Sequence, residues 1–273
     1  MQLALFGHPV AHSRSPEVHA EFGRQCGIAL GYALIDVPVS ADHHGDFGRA
    51  LAAFIGAGGR GANVTLPFKL AAAACCTTQS ATARRAGAVN TRVIASDGGS
   101  HGDNTDGAGL IADLRHHGIT LAGRRVALLG AGGAARGAAV ALLDAGAAEL
   151  TVASRDAVCA ATFARDIPAT RVVDYAALRS AAFDLMINAT SASLRDALPP
   201  LPEGALARGA IAYDMVYAPT PTPFQRWALA AGATAAHDGW GMMLEQAAAS
   251  FALWTGVRPA TAPLRDWSRD RTR

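Results

Sequence analysis

The sequence predicts an α/β fold in which an open sheet is followed by a dinucleotide-binding unit. Two observations carry that prediction. The first part of the chain alternates short β-rich runs with helical stretches, the pattern of an open α/β sheet. Further on, the apolar run Val126-Ala127-Leu128-Leu129 passes directly into Gly130-x-Gly132-x-x-Ala135 and then a helix, and this strand–turn–helix context gives a glycine motif its dinucleotide-binding meaning. A third observation concerns chemistry: Lys69 is the only lysine among 24 basic residues, the rest being arginine. On a solvated face the two are interchangeable, but only an ammonium gives up its proton near neutral pH when desolvated. Lys69 is therefore a catalytic candidate, against the plain reading of a surface lysine.

In chain order, Leu3–Phe6 reads as a first strand ended by Gly7; it lacks the basic flank of a leader peptide. A polar loop follows, with Ser15 predicted as the N-cap of a helix and Pro16 at its first position, which leaves Ser13 unexplained. Ile28–Val37 is β-rich, Ala41–Ile55 helical and Gly61–Thr65 again a strand. Ligands of open α/β sheets bind beyond the carboxyl ends of strands, so Ser13, Ser15, Asn63, Thr65 and Lys69 are expected to share one crevice. Gly87-Ala88-Val89-Asn90-Thr91 opens a β-rich run to Ala95, and Ser96–Ser100 makes the turn after it. The loop Gly102–Gly107 then leads to a helix over Ala108–His116. Thr105 or Asp106 as an N-cap is its plain reading, but so dense a set of polar groups points to a site, and a helix N-terminus keeps Asp106 ionised for a lysine or a substrate hydroxyl.

In the glycine motif, Gly130 permits the tight turn, Gly132 lets backbone approach a pyrophosphate and Ala135 lets helix pack on strand. The strand Glu149–Ala153 ends in Ser154-Arg155-Asp156. Arginine there accommodates a 2′-phosphate and points to NADP, while the Asp156 carboxylate opposes it. Further strands over Phe183–Asn188 and Ala210–Asp214 place Thr190 and Met215-Val216-Tyr217 where a nicotinamide or substrate would lie. Trp240–Trp254 is an apolar helix whose stripe of Trp240, Met243, Leu244, Ala247, Phe251 and Trp254 reads as core. Gln246 lies beside it and needs partners, either backbone or a polyhydroxylated ligand.

Bulk properties exclude further classes. A net charge of +2 with scattered arginines argues against nucleic acid, and no stretch is long and apolar enough to span a bilayer. Cys26, Cys75, Cys76 and Cys159 have neither disulfide-framework nor metal-ligand spacing, so the expectation is a cytoplasmic protein without a metal.

Eight motifs then stand in a familiar order: Ser13-x-Ser15-Pro16, Asn63-Val64-Thr65-Leu66-Pro67-Phe68-Lys69, Gly87–Thr91, Asn104-Thr105-Asp106-Gly107, Gly130–Ala134, Asn188–Ser191, Tyr213–Tyr217 and Asp238-Gly239-Trp240-Gly241-Met242. Over nearly its whole length the chain resembles the shikimate dehydrogenases, and all four asparagines fall inside these motifs. The resemblance implies NADPH-dependent reduction of 3-dehydroshikimate to shikimate in aromatic amino-acid biosynthesis. It implies two α/β domains with the active site in the cleft between them: residues 1–102 and 238–273 for substrate and catalysis, and a Rossmann-like unit over 103–237 for NADP. By matching motif, Lys69 is the acid/base residue and Asp106 its partner. Ser13 and Ser15 hold the substrate carboxylate, with Asn63, Thr65, Asn90, Tyr217 and Gln246 around the ring. Gly130, Ala131, Gly132, Gly133 and Ala134 seat the pyrophosphate, Ser154 and Arg155 the adenosine end, and Thr190, Met215 and Gly239 the nicotinamide side. The chain departs from the family at the 2′-phosphate loop, where Asn-Arg-Thr followed by another basic residue is usual. This leaves room for a quinate/shikimate dehydrogenase using NAD, although Phe68 fits the shikimate branch better. The same fold would also suit a catalytically idle NADP-binding homologue. For assembly, the expectation is a homodimer.

Overall fold

The structure, a computed structural model, describes residues 1–267; residues 268–273 of the expected substrate and catalytic domain lie outside the described residues. The first half contains β1 (Gln2–Gly7), α1 (Ser15–Cys26), β2 (Gly31–Asp36), α2 (His43–Gly56), β3 (Gly59–Val64), α3 (Lys69–Ala74), β4 (Thr78–Gln79), α4 (Ala81–Ala86), β5 (Thr91–Ile94) and β6 (Ser100–Asp103). These strands form one sheet in the order β2-β1-β3-β5-β6-β4. Leu3-Ala4-Leu5-Phe6 is buried on both faces, as a central strand requires, with β2 and β3 parallel on either side.

After α5 (Asp106–His116) come β7 (Arg125–Leu129), α6 (Gly133–Asp144), β8 (Glu149–Ala153), α7 (Ala157–Asp166), β9 (Arg171–Val173), β10 (Phe183–Asn188), β11 (Leu206–Asp214), α8 (Pro223–Ala230), β12 (Ala235–His237) and α9 (Trp240–Thr255). The second sheet runs β12-β11-β10-β7-β8-β9 and is parallel throughout, the doubly wound order. Its strand order reverses between β7 and β10, so the loops leaving those two strands diverge and open a crevice.

Four expectations are corrected. Ser15 is the first helical residue of α1, not its cap: Arg14 holds the cap position without a side-chain bond, and the Ser15 amide donates to Ser13 Oγ at 3.3 Å. Thr105 occupies the cap position of α5, and Asp106 is its first residue; neither side chain caps the helix, because both are engaged elsewhere. The turn after β5 is shorter than expected. Residues 100–103 form β6, antiparallel to β5, and its polar sequence Ser-His-Gly-Asp carries no apolar alternation by which to see it. The fourth concerns the stripe of the last helix: Met243 packs in the core cluster of α1 and α9 but also borders the cleft.

Helix α9 returns to the first sheet. It packs on α1, α5, β3 and β5, and joins α1 through Val18, Phe22, Trp240, Leu244 and Phe251. Fully burying each such side chain contributes about 1.5–3 kcal/mol. Helix α5 lies between α9 and α6 at close range: a Cβ at Gly109 would stand 2.7 Å from Met242 O, and one at Gly107 would stand 2.5 Å from Gly137 O. The two sheets are thus tied through packed helices, with a cleft on the side where their strand ends meet.

Candidate active site

A cleft of about 500 Å³ is lined by residues from both halves of the chain. Lys69 enters it as the first residue of α3, where the chain has just left β3, and is 9% exposed. Its Nζ donates to Asp106 Oδ2 at the start of α5. A buried ion pair persists only when its remaining hydrogen-bonding capacity is met. Asn90 supplies that: its Nδ2 donates to Asp106 Oδ1 at 2.9 Å, while its Oδ1 accepts from the Thr105 amide at 2.8 Å and Thr91 Oγ1 at 2.9 Å. The carboxylate is thereby oriented from behind, and the ammonium faces the cleft.

Around this pair lies a set of polar side chains suited to a small hydroxylated ligand. Gln246 Nε2 donates to Met243 O at 3.1 Å and its Oε1 accepts from Asn90 at 3.3 Å, so its amide plane is held by backbone while still bordering the cleft. Asn63 accepts from the Tyr32 hydroxyl at 2.8 Å and donates to Ser250 Oγ at 3.0 Å. Ser13 Oγ donates to Ser15 Oγ at 3.1 Å beside the N-terminus of α1, which has no side-chain cap. Two hydroxyls at the positive end of the helix form a place for a carboxylate. Thr65 and Tyr217 complete the wall, and the Tyr217 ring meets Trp240 edge-on.

The opposite wall is the glycine loop. Gly130 has φ of 104°, a left-handed turn that a side chain would strain, and a Cβ there would stand 3.1 Å from Thr190 Cγ2 across the strand-order reversal. Gly132 caps α6 without a side-chain acceptor, and a Cβ on it would meet nothing within 4 Å. Open space in front of uncapped helix N–H groups fits a pyrophosphate, so these residues suit a dinucleotide. Ala131, Gly133, Ala134, Ser154, Thr190, Met215 and Gly239 line the same cleft. Asp156 caps α7, accepting from the Cys159 amide at 2.9 Å, which gives its carboxylate a structural duty at the adenosine end. Of the expected site residues, Arg155 alone does not border the cleft; it is exposed just beyond Ser154.

Comparison with known proteins decides the family. Residues 5–92 match the shikimate dehydrogenase substrate binding domain, residues 112–195 the shikimate / quinate 5-dehydrogenase family, and residues 239–266 the shikimate 5′-dehydrogenase C-terminal domain. The chain is 50% identical over 268 residues to the shikimate dehydrogenase (NADP(+)) of Chromohalobacter salexigens, covering 97% of this chain and 96% of that one. The chain belongs to the shikimate dehydrogenase family. A similar relative is the shikimate dehydrogenase (NADP(+)) of Xanthomonas campestris, 50% identical over 98% of this chain and 95% of its own. Among solved structures, shikimate 5-dehydrogenase from Thermus thermophilus, in complex with NADP(H) and shikimate, superposes with a TM-score of 0.83 at 36% identity, covering 98% of both chains.

Sequence reasoning missed the layer behind the site of this shikimate dehydrogenase fold. Thr91, Thr105 and Ser250 are buried and mutually hydrogen-bonded, with Ser250 Oγ 2.7 Å from Thr91 Oγ1 and 3.2 Å from Thr105 Oγ1. One signal was available for Ser250: it lies four residues after Gln246, on the same face of α9. Among the described residues, no group of three or more His, Cys, Asp or Glu is placed to hold a metal ion, and no helix is long and apolar enough to cross a membrane.

Proposed function

We infer that the protein catalyses the NADPH-dependent, reversible reduction of 3-dehydroshikimate to shikimate, an oxidoreductase step of aromatic amino-acid biosynthesis. The observation that carries this is the Lys69–Asp106 pair, buried in a cleft whose facing wall is a dinucleotide loop. Reducing a ketone takes a hydride at carbon and a proton at oxygen, and bound NADPH supplies the hydride. Lys69 holds the proton for the carbonyl oxygen and takes it back in the reverse direction, while Asp106 orients the ammonium and accepts from a neighbouring hydroxyl. Ser13 and Ser15 receive the substrate carboxylate at the N-terminus of α1; Asn63, Thr65, Asn90, Tyr217 and Gln246 face the ring hydroxyls. Gly130, Ala131, Gly132, Gly133 and Ala134 take the pyrophosphate. Ser154 and Arg155 serve the adenosine ribose phosphate, and Thr190, Met215 and Gly239 the nicotinamide.

This reading divides the chain into a substrate and catalytic domain, 1–102 with 238–273, and a cofactor domain, 103–237. It is supported by the two separate sheets and by the return of α9 to the first. It extends to a homodimer in the cytoplasm, a setting supported by four free cysteines, two of them exposed. The test is an activity matrix of shikimate and quinate against NADP+ and NAD+. Shikimate with NADP+ is expected to dominate; equal turnover of quinate or preference for NAD+ would make the protein a quinate/shikimate dehydrogenase instead. NADPH binding without turnover of either substrate would make it an idle homologue. A light-scattering mass on the same preparation reads the assembly.

A further inference from the structure

Helix α6 carries Gly133 and Gly137 within Gly-Ala-Ala-Arg-Gly-Ala-Ala-Val-Ala-Leu-Leu-Asp. In so alanine-rich a chain alanine is the ready substitute, and at an interior position such as 137 glycine costs about 1 kcal/mol relative to it. Pyrophosphate binding does not explain both positions. Gly132 opens on free space, as a ligand requires; Gly133 serves a phosphate through its backbone N–H alone, and the space a Cβ would take at Gly133 and Gly137 is filled by protein. A Cβ on Gly133 would stand 2.8 Å from Lys69 Cβ and 3.3 Å from Lys69 Cδ. One on Gly137 would collide with the Asn104 amide, 2.9 Å from both its Cγ and its Nδ2. Asn104 in turn accepts from the Asp106 amide at 3.2 Å and is anchored by donating to Ala88 O at 2.9 Å. Residues 133 and 137 are four apart and share a helix face, so one ridge of α6 touches the lysine directly and reaches the aspartate through a single side chain. The 2.5 Å from a Cβ on Gly107 to Gly137 O shows that the backbones of α5 and α6 also meet here.

We propose that Gly133 and Gly137 are positioning residues for the Lys69–Asp106 pair. The helix whose N-terminus opens the dinucleotide loop is also the surface against which the acid/base pair is set, and the missing side chains set the pair's depth in the cleft. The proposal rests on the reaction assigned above and adds to it a duty for α6 separate from holding phosphate.

The lone lysine makes this testable without turnover, because protein labelled with isotopic lysine gives a single side-chain NMR signal, that of Lys69. In Gly137→Ala the signal is expected to move. Alongside it, kcat for shikimate falls by about 10- to 100-fold and the pH profile of kcat is displaced, while the Kd for NADPH measured by nucleotide fluorescence stays within about twofold. Gly133→Ala, whose added methyl meets the Lys69 and Leu70 side chains rather than the anchored Asn104 amide, carries the same lysine and kcat readouts if Gly137→Ala does not fold. A folded variant with an unmoved lysine signal, or with native kcat, would overturn the proposal. So would a loss of NADPH affinity that accounts for the whole loss of activity. Since the lysine signal needs no substrate, failure of this proposal is distinguishable from failure of the assigned reaction.

Discussion

Lys69 stands out by its scarcity, and its surroundings give it a task. It sits where β3 gives way to α3, its ammonium bound to Asp106 and the far oxygen of that carboxylate held by Asn90. Replacement by arginine keeps charge and much of the reach but removes a group able to cycle a proton. Lys69→Arg is therefore expected to lower kcat by about 10²- to 10⁴-fold with little change in NADPH affinity, as steady-state assay and fluorescence titration would read. Near-native turnover would discard proton transfer by Lys69. Most of the residues that border the cleft were legible, because each stands in a loop that leaves a strand. The hydroxyls behind them were not: Thr91, Thr105 and Ser250 acquire a function only by meeting one another, and they come from three separate elements.

At the scale of elements, the helices that carry site residues start without side-chain caps, and those that serve the scaffold are capped. α1, α5 and α6 have no side-chain cap on their cap residues, and α6 opens its N-terminal N–H groups to the cleft at Gly132. α4, α7 and α8 are capped by Ser80, Asp156 and Thr222. Thr222 does double duty: it forms a capping box with Gln225, and its hydroxyl donates to Asp214 at 2.7 Å. Asp214 is fully buried, and burial raises its carboxyl pKa although Ser193, Thr222 and Asn188 donate to it. Thr222→Ala removes a cap and one of those donors together. It is expected to lower stability by about 1–3 kcal/mol, read as an earlier thermal midpoint, with Thr222→Ser retaining most of it. An unchanged midpoint in the alanine variant would show that the cap is dispensable. The short polar strand β6 lay beyond sequence reading because its pairing to β5, not its composition, makes it a strand.

Over the whole molecule, acid is the expected weak point. His19 is fully buried against Tyr32, ring centroids 4.5 Å apart, and neither ring nitrogen makes a hydrogen bond of good geometry. Desolvation pushes its pKa from 6.5 down to about 3, against a smaller opposing pull from Asn63. Asp113 lies under α9. Burial alone would raise its carboxyl, but the neighbouring His117 and the donors Arg265 and Tyr213 bring it from 3.8 to about 2. For both groups the unfolded chain binds more protons than the folded one, so their contribution to stability is whole above pH 6.5. It declines from there toward 3 through His19, and from 3.8 toward 2 through Asp113, at up to about 1.4 kcal/mol per pH unit for each group. Urea midpoints measured across pH should show this slope, and His19→Phe should flatten it between 6.5 and 4; an unaltered slope in that variant would remove His19 as its cause. By itself the sequence determined the α/β class, the glycine loop and most of the residues that border the cleft, because strand–turn–helix signals and rare residues are local properties of the chain. Only the tertiary structure decided which of those residues touch. The pairing of Lys69 with Asp106, the network behind them and the contact of α6 with both depend on packing between segments far apart in sequence, where distance along the chain says nothing of distance in space.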